Sequence, residues 1–422
     1  MAVDESENAA GRGCVIVGAG QAGAEAAILL RQQKYGGRII LLGEESSPPY
    51  LRPPLSKAYL SGEIGAEALI FKASTAYEKA DVELRLSTRV DRIDRPAKRV
   101  VLQSGETLAY DTLILATGGR ARRLAAPGAG LDGVFSLRAI ADVERLKPEL
   151  AAGRRLVIVG GGYVGLEIAA VAVKKGLRTL VLEAAPRALA RVTAPEVSRF
   201  YEAFHRKAGV EIRTGVGVSG FAEGATPGRV GFVLTGDGGR VEADVVLVGV
   251  GLVPNDELAA AAGLEVDRGV LVDGSCRTSD PDIFAIGDCA VHRRHGFLER
   301  AVRLESVPNA LETARIAASV IAGRPAPAAT APWFWSDQYD LKLQMAGLSE
   351  GYDELVVRGS MEDASFTAFY LKDGRVIAAD AVNRPGDFMA AKRLIAERVR
   401  AKAADLADEA VSLKSLLAAS GG

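Results

Sequence analysis

Short apolar runs recur along the chain, and two of them lead through a glycine-rich turn into a helical pattern. The first run, CVIV at residues 14–17, is followed by GAGQAG and then by the periodic stretch AEAAILLRQQ. The second, RLVIV at residues 155–159, is followed by GGGYVG and then by LEIAAVAV. Apolar runs of this length are typical of buried strands, and strands that alternate with helices build parallel sheets. The pattern therefore predicts an α/β fold that contains one strand, turn and helix unit twice.

The glycine spacing in each turn indicates a nucleotide-binding loop. In the first turn, Gly18 permits the tight bend, Gly20 lets the backbone approach a pyrophosphate, and Gly23 lets the helix pack on the strand. The free N–H groups and the dipole at the start of the helix favour phosphate. The second turn repeats the spacing 142 residues further along, at Gly160, Gly162 and Gly165.

Each loop is followed by an acidic residue where dinucleotide-binding proteins place a ribose-binding carboxylate. Glu44 lies 21 residues after the last glycine of its loop, with Glu45 as an alternative, and Glu183 lies 18 residues after the last glycine of the second loop. Glu183 could merely end a strand, but its matching place in the duplicated unit favours ribose binding. It would repel a 2′-phosphate, and the nearest arginine, Arg187, lies four residues further on. The second loop is therefore predicted to prefer NADH.

Two further apolar strands end in polar groups that suit a flavin domain. The stretch DIFAIGDCA, residues 282–290, predicts a buried strand that ends at Gly287 and Asp288, where a carboxylate can bind a ribityl hydroxyl of FAD and a following helix can direct its N-terminus at the flavin. The stretch LILATGGRA, residues 113–121, predicts a strand that ends at Thr117 and leads into an inserted domain. Two nucleotide folds in one chain predict that a hydride donor and a bound acceptor are held side by side.

The last part of the chain has a different pattern. The Pro/Ala-rich segment at 323–332 predicts a linker, and residues 365–383 predict two alternating strands around an Asp373-Gly374 hairpin turn. Residues 390–417 predict a helical tail. This region would form a third domain that covers the flavin.

Composition limits the function classes. The 422 residues carry a formal net charge of −1, which gives no global electrostatic reason to bind nucleic acid or an anionic membrane. The three cysteines, Cys14, Cys276 and Cys289, are too scattered for a disulfide framework or a metal site, which favours the cytoplasm. The N-terminal segment lacks the apolar core of a signal peptide, and the longest apolar run, residues 245–253, is too short to span a membrane.

Four longer stretches carry a resemblance to a known family: PPYLRPPLSK at 48–57, EAAPRALARVTAPEVSRFY at 183–201, LESVPNALETAR at 304–315 and PWFWSDQYDLKLQMAG at 332–347. With them the chain resembles the FAD-dependent ferredoxin reductases of bacterial oxygenase and cytochrome P450 systems, within the glutathione-reductase-like flavoprotein superfamily. The resemblance implies two Rossmann-like dinucleotide-binding domains and a smaller α+β C-terminal domain. The FAD domain is expected at 12–120 plus 252–328, the NADH domain at 121–251 and the C-terminal domain at 329–422.

The resemblance also implies site residues. Besides the glycines Gly18, Gly20 and Gly23 and the strand-end Thr117, the implied FAD contacts are Ala22, Glu44, Arg52, Lys57, Val90, Arg138, Asp288 and Val307. The implied NADH contacts are Gly161, Gly162, Tyr163, Val164, Glu167, Glu183, Arg191 and Gly251. Lys57 is expected near flavin N5 with Glu167 beside it, where an ion pair would orient the flavin edge. Trp335 is expected beside the flavin at the partner face, as an electron conduit or as an ordinary core residue.

The absence of a cysteine pair narrows the implied reaction. The stretch GEESSPPYLRPPLSK, in which disulfide and peroxide reductases of this superfamily carry cysteine, has none. Electrons would therefore leave the flavin directly, and the resemblance implies a 2Fe-2S ferredoxin as acceptor, with Arg315, Lys342 and Lys414 as docking cations on a monomer or weak dimer. Gln344 stands where a close relative carries lysine, which leaves the particular ferredoxin open. The alternatives are an NADH oxidase or quinone reductase of the same fold, and an NADH-sensing protein like apoptosis-inducing factor. The histidines, His205, His292 and His295, are predicted to be structural or solvated, and Cys289 to be a small buried hydrophobe.

Overall fold

A computed structural model describes residues 13–419 of the chain. The expectation about the N-terminal segment, residues 1–12, lies outside this range. Among the described residues, no helix is both long enough and apolar enough to cross a membrane.

The strands alternate with helices around the two glycine loops, but those at residues 82–135, 211–254 and 333–382 follow one another without an intervening helix. In chain order they are β1 Gly13–Val17, β2 Arg38–Leu42, β3 Val82–Arg85, β4 Val90–Asp94, β5 Arg99–Leu102, β6 Thr107–Ala109, β7 Thr112–Leu115, β8 Gly119–Ala121, β9 Val134–Phe135, β10 Arg155–Val159, β11 Arg178–Glu183, β12 Glu211–Thr214, β13 Val218–Glu223, β14 Val230–Thr235, β15 Arg240–Glu242, β16 Val245–Val248, β17 Leu252–Pro254, β18 Val270–Val272, β19 Ile283–Ala285, β20 Ala290–His292, β21 Trp333–Gln338, β22 Leu341–Gly347, β23 Glu354–Ser360, β24 Ser365–Lys372 and β25 Arg375–Val382.

The α-helices range in length from four residues to fifteen. They are α1 Gln21–Gln32, α2 Ala58–Ser61, α3 Ser74–Lys79, α4 Ile140–Leu146, α5 Tyr163–Lys174, α6 Pro195–Lys207, α7 Glu257–Ala261, α8 Val307–Ile321, α9 Pro385–Ala396, α10 Ala403–Ala407 and α11 Leu413–Ala419.

The described residues divide into two compact units. The first comprises residues 13–51, Glu67–Arg120 and Val253–Pro332, and the second comprises Arg52–Ala66, Ala121–Leu252 and residues 333–419. The second unit thus holds both the segment expected to bind NADH and the C-terminal segment. The three domain boundaries drawn from the sequence stay a prediction.

The first unit is built on a parallel five-stranded sheet in the order β19-β7-β1-β2-β3. Side chains of β1 alternate between two cores because successive residues of a strand point to opposite faces. Cys14 and Ile16 pack with residues of α1 and α8, whereas Val15 and Val17 pack with residues of the antiparallel sheet β4-β5-β6. This arrangement confirms the first predicted Rossmann-like unit.

The second unit contains a parallel sheet of the same kind and an antiparallel sheet. The parallel sheet has the order β12-β11-β10-β16-β9, and the antiparallel sheet of the C-terminal segment has the order β21-β22-β25-β24-β23. The predicted hairpin between β24 and β25 turns at Asp373 and Gly374, both of which have positive φ. The predicted fold class, two Rossmann-like units and an α+β C-terminal region, is therefore confirmed.

Two local predictions need refinement. The tail predicted to be helical, residues 390–417, is divided among α9, α10 and α11, because Arg398 adopts a left-handed conformation and the buried Val399 accepts a hydrogen bond from the N–H of Val376 in β25. The strand predicted to end at Gly287 and Asp288 ends at Ala285, and a 3₁₀ turn over residues 287–289 and β20 separate it from the next long helix, α8, which begins at Val307. In both places tertiary packing overrides the local pattern.

Candidate functional site

The first glycine loop, in the first unit, leaves an open approach to the start of α1. A Cβ on Gly18, whose φ is +114°, would collide with the carbonyl of Ala116, and a Cβ on Gly23 would collide with the carbonyl of Gly18. Around Gly20, by contrast, no heavy atom beyond its own chain neighbours lies within 4 Å of the place that a Cβ would take. Helix α1 begins at Gln21 and has no acidic residue in its first turn. The loop therefore fits a pyrophosphate, which the helix N-terminus would attract.

Other residues expected to contact FAD lie on the same unit, after β19. A Cβ on Gly287 would approach the Cβ of Ala22 to 3.0 Å, so the 3₁₀ turn that carries Asp288 runs close to the glycine loop. The carbonyl oxygen of Asp288 accepts a hydrogen bond of 3.2 Å from Arg303. Val307 begins α8 at a helix N-terminus.

Glu44 and Thr117 follow β2 and β7, the two parallel strands on either side of β1, but have different surroundings. Glu44 is exposed and forms an ion pair of 2.6 Å with Arg89, directly before Val90. The hydroxyl of Thr117 donates to the carbonyl of Asn255 at 2.6 Å, and the side-chain amide of Asn255 donates back to the carbonyl of Thr117 at 2.9 Å. Thr117 is thus held in place by side-chain and backbone contacts, whereas Glu44 keeps solvent access.

The second glycine loop, in the second unit, holds the carboxylate that the sequence identified. The N–H of Gly161 donates to Oε2 of Glu183 at 2.6 Å, and the N–H of Ala185 donates to Oε1 at 2.7 Å. No heavy atom beyond its own chain neighbours lies within 4 Å of the place that a Cβ on Gly162 would take. The carboxylate is fixed beside an open helix N-terminus, so this loop fits the adenosine ribose and pyrophosphate of NADH.

The two residues that begin α5 point in different directions. The hydroxyl of Tyr163 lies 2.7 Å from the sulfur of Met345, and its ring centroid lies 5.2 Å from that of Phe334. Val164 is exposed, which is unusual for a large apolar side chain. Tyr163 therefore anchors the helix, while the side chain of Val164 faces solvent.

Arg187, the nearest arginine after Glu183 in the sequence, already has partners. Its guanidinium donates to the hydroxyl of Ser198 at 2.5 Å and to the carbonyl of Ala190 at 3.0 Å. Arg191 is exposed, and its Nη2 lies 3.9 Å from the place that a Cβ on Gly251 would take. The structure thus brings Arg191 and Gly251 together and engages Arg187 elsewhere.

Lys57 and Glu167, expected as a pair, form a largely buried ion pair within the second unit. Nζ of Lys57 lies 2.7 Å from Oε1 of Glu167, with 19% of the lysine side chain and 4% of the glutamate side chain exposed. Two hydroxyls also donate to this carboxylate, Ser56 to Oε2 at 2.5 Å and Ser336 to Oε1 at 2.6 Å. The ammonium donates further to the carbonyl of Pro53 at 3.3 Å. These contacts hold the positive charge of the Lys57 ammonium in one place.

Arg52 and Arg138, two expected FAD contacts, lie side by side in the second unit. Nη1 of Arg52 donates to the carbonyl of Arg138 at 2.7 Å, and the N–H of Arg138 donates to Asp142 at 2.9 Å. Asp142 thereby secures the start of α4.

Trp335 lines a cavity of about 540 Å³ on one face of the C-terminal sheet. Trp335 pairs with Gln344 and Asp337 pairs with Lys342 across β21 and β22, so all four share that face. The ring of Trp333 lies 5.5 Å from that of Trp335. Lys342 and Gln344 thus lie on the same strand face, as predicted.

The three expected docking cations are all exposed. Arg315 lies on α8, Lys342 on β22 and Lys414 on α11. Lys342 also pairs with Asp337 at 3.2 Å.

The cysteines and histidines are buried. Cys14, Cys276 and Cys289 have no solvent exposure, and burial raises the pKa of each thiol, so all three stay protonated at neutral pH. Cys289 is thus the small buried residue that was predicted. The three histidines are structural rather than solvated, with at most 4% exposure. No group of three or more potential metal ligands occurs within residues 13–419.

Sequence reasoning missed several partners of the Lys57–Glu167 pair. Ser56 and Ser336 contact the carboxylate directly, and Gln338 and His205 lie behind Ser336. The alternation of β21 could have placed Ser336 and Gln338 on one face, but nothing local links them to residues more than a hundred positions away.

Two protein families match the chain. Residues 12–314 match the family described as pyridine nucleotide-disulphide oxidoreductase, and residues 333–417 match the one described as reductase C-terminal. The two matches together span most of the chain.

Individual proteins match over nearly the whole length. The chain is 48% identical over 409 residues to putidaredoxin reductase of Pseudomonas putida, with 96% of each chain covered. It is 44% identical over 408 residues to the ferredoxin reductase subunit of 5,5′-dehydrodivanillate O-demethylase from a Sphingobium species, with 97% of this chain and 99% of the relative covered.

A solved structure shows the same similarity. The crystal structure of the covalent putidaredoxin reductase–putidaredoxin complex contains a chain that superposes with a TM-score of 0.94 and 47% identity, over 97% of this chain and 98% of that one. The resemblance stated from the motifs, with putidaredoxin reductase among the near relatives, is confirmed. The chain belongs to the pyridine nucleotide-disulphide oxidoreductase family and, within it, to the ferredoxin reductases of bacterial oxygenase and cytochrome P450 systems.

Proposed function

We propose that this protein is an FAD-dependent NADH:ferredoxin oxidoreductase, which passes a hydride from NADH to FAD and then two single electrons to a 2Fe-2S ferredoxin that feeds a cytochrome P450 or a Rieske oxygenase. One observation carries the proposal. The chain holds two nucleotide-binding loops, whereas all three of its thiols are buried and protonated. One loop can therefore hold the cofactor that donates a hydride and the other the cofactor that accepts it. No thiol is available to carry the electrons onward.

The first loop would hold FAD. Gly18, Gly20, Ala22 and Gly23 would form the pyrophosphate cradle, and Asp288 would bind a ribityl hydroxyl. The remaining proposed contacts are Glu44, Arg52, Lys57, Val90, Thr117, Arg138 and Val307. Bound FAD supplies the chemistry that the side chains lack, which is to accept a hydride and to release its electrons one at a time.

The second loop would hold NADH. Glu183 would accept hydrogen bonds from the adenosine ribose, because its carboxylate is already held beside the open helix N-terminus by two backbone N–H groups. The other proposed contacts are Gly161, Gly162, Tyr163, Val164, Glu167, Arg191 and Gly251. A 2′-phosphate would meet the Glu183 charge without help from Arg187, so NADH is the proposed coenzyme.

Lys57 and Glu167 would orient the flavin edge rather than transfer a proton. Hydride transfer itself needs no acid or base, so the contribution of the protein is to hold the reacting groups at the right distance and angle. A buried ion pair with further hydrogen bonds holds its charge rigidly, which suits this role.

The acceptor would approach the C-terminal sheet, where Trp335 lines the cavity. The relative crystallised as a covalent complex with putidaredoxin supports a ferredoxin acceptor. Arg315, Lys342 and Lys414 are the proposed docking cations for an acidic partner. A cytoplasmic location and a monomer or weak dimer complete the proposal.

The test compares electron acceptors. Purified protein loaded with FAD is supplied with NADH or with NADPH. Oxidation of the supplied coenzyme is followed with oxygen, a soluble quinone or a 2Fe-2S ferredoxin as the sole electron acceptor. The proposal predicts rapid NADH oxidation only with ferredoxin, and much slower oxidation of NADPH. Rapid oxidation with oxygen or quinone alone would instead assign an oxidase or quinone reductase. Slow flavin reduction with a long-lived charge-transfer band would assign an NADH sensor.

A further inference from the structure

A continuous chain of buried hydrogen bonds runs from Glu167 to a tyrosine that is half-buried. Ser336 lies 2.6 Å from the carboxylate of Glu167, Gln338 lies 3.2 Å from Ser336, His205 lies 2.8 Å from Gln338, and Tyr339 lies 3.0 Å from His205. The first four of these residues are at most 3% exposed. All of them belong to the second unit.

The polarity of this chain follows from its charged end. Glu167 is paired with Lys57, and an ionised carboxylate can only accept hydrogen bonds, so Ser336 must donate to it. Ser336 then accepts from the amide nitrogen of Gln338, which leaves the amide oxygen of Gln338 facing His205.

The ring of His205 must therefore donate from Nε2. Burial lowers the pKa of His205 to about 4, so the ring is neutral at neutral pH and carries a single N–H. With that hydrogen on Nε2, Nδ1 accepts from the hydroxyl of Tyr339. Every donor in the chain thus points towards Glu167.

The chain completes the donor set of the carboxylate. Oε1 receives Lys57 and Ser336, and Oε2 receives Ser56. Without the amide of Gln338 in its present orientation, the hydroxyl of Ser336 is no longer forced to point at Glu167. In a buried site such a loss weakens the whole network, because each hydrogen bond polarises the next.

We propose that His205 is a positioning residue, which holds Glu167, and through it Lys57, by way of Gln338 and Ser336. The inference rests on the proposed function, because it matters only if Lys57 lies beside the flavin. It assigns no proton transfer to the histidine, since the intervening amide of Gln338 does not relay protons readily.

Two substitutions at one position separate this role from a merely structural one. His205→Phe keeps an aromatic ring in the core but removes the donor to Gln338, whereas His205→Gln places an amide N–H near the position of Nε2. Tyr201→Phe is the matched control, because Tyr201 lies one turn away on α6, is equally buried, and its hydroxyl has no hydrogen-bond partner within the described structure.

The measurements use the FAD-loaded protein without ferredoxin. One is the limiting rate of flavin reduction by NADH, in which the hydride moves to the flavin and NAD⁺ leaves. The other is the two-electron reduction potential of the flavin. We expect His205→Phe to slow the reduction about tenfold and to lower the potential by about 30 mV, which is a tenfold change in the equilibrium constant for two electrons. His205→Gln should recover most of both losses, and Tyr201→Phe should change neither.

The proposal is overturned if His205→Phe leaves both the rate and the potential unchanged, or if His205→Gln is no better than phenylalanine. Should the phenylalanine variant fail to fold, nitrogen NMR of the histidine-labelled wild-type protein decides. The Nε2–H tautomer of His205 is expected, and an Nδ1–H tautomer or a charged ring at pH 7 contradicts the chain. Because no ferredoxin enters these experiments, a wrong acceptor assignment would leave their outcome unaffected.

Discussion

At the scale of single residues, Glu183 shows how the backbone prepares a coenzyme site. Two N–H groups hold its carboxylate, one from the glycine loop and one from the segment after β11. Its oxygens keep further lone pairs that can receive ribose hydroxyls, because a carboxylate accepts about four hydrogen bonds. The negative charge of the Glu183 carboxylate also repels the 2′-phosphate of NADPH.

Replacing Glu183 should therefore change both the affinity for NADH and the coenzyme preference. Hydrogen bonds to a charged group contribute about 1.5–3 kcal/mol, so Glu183→Ala is expected to raise the KM for NADH about 10- to 100-fold. The KM for NADPH should rise less, so the preference for NADH over NADPH should become smaller. Steady-state kinetics with both coenzymes measure this, with Glu211→Gln on the neighbouring strand β12 as control. An unchanged NADH to NADPH ratio would mean that Glu183 does not select the coenzyme.

Substitutions of Lys57 and Glu167 should have strongly non-additive effects on the free energy of unfolding. Removing one partner of a buried pair leaves an uncompensated charge and costs about 3–5 kcal/mol. Lys57→Met and Glu167→Gln are each expected to lower the thermal unfolding midpoint, whereas the double variant should lose clearly less than the two single losses combined. Strictly additive losses would show that the two side chains do not act as a pair in solution.

At the scale of elements, a buried polar cluster ties the C-terminal sheet to the loop before α6. Asp380 on β25 accepts hydrogen bonds of 2.5 Å from Tyr370 on β24 and from Thr193, and the N–H of Ala194 donates to the Tyr370 hydroxyl at 2.9 Å. Thr193 lies two residues after Arg191, a proposed NADH contact. Burial raises the pKa of the Asp380 carboxyl to about 6.

This pKa gives Asp380 a pH-dependent effect on stability with a definite sign. An unfolded aspartate titrates near pH 3.9, so between about pH 4 and 6 the native state binds more protons than the unfolded chain. The contribution of Asp380 therefore becomes less favourable as pH rises through this window, by about 3 kcal/mol in all. Thermal unfolding of the wild type and Asp380→Asn should show a gap in favour of the variant that widens from pH 4.5 to pH 7. The exposed control Asp363→Asn should show no such trend, and a gap that narrows with rising pH would refute the assignment.

The parallel sheets could be predicted from the sequence because their information is local. A strand, a glycine turn, a helix and a following acid lie within about thirty residues, so Gly18, Gly160 and Glu183 take the predicted places. The same holds for the Asp373-Gly374 turn, whose left-handed conformations suit these residues. The tail is helical as predicted, but its division into three helices depends on Val399 meeting β25, which no local pattern records.

The hydrogen-bond chain behind Glu167 was out of reach for the same reason. Ser336 and Glu167 are 169 positions apart, and His205 and Gln338 are 133 positions apart. A buried histidine gives no sign in the sequence of which of its nitrogens is bonded, or to what. Such contacts arise only when separate segments are folded together.

At the scale of the whole molecule, the burial of all three thiols is consistent with an electron route that contains no thiol relay. Because burial raises the pKa of Cys14, Cys276 and Cys289, none of them offers a thiolate at neutral pH. Iodoacetamide should therefore leave the native protein unmodified by mass spectrometry and its NADH oxidation unchanged. The denatured protein, as control, should take up three labels. Loss of activity upon labelling of one cysteine would place a thiol in the route.

The central claim is that one NADH delivers its two electrons to two one-electron acceptors. The most direct measurement is an anaerobic titration of the FAD-loaded protein and an excess of oxidised 2Fe-2S ferredoxin with NADH, followed by the bleaching of the cluster. We expect two reduced clusters for each NADH consumed, with the flavin reoxidised at the end of each addition. A flavin that is reduced by NADH while the clusters stay oxidised would contradict it.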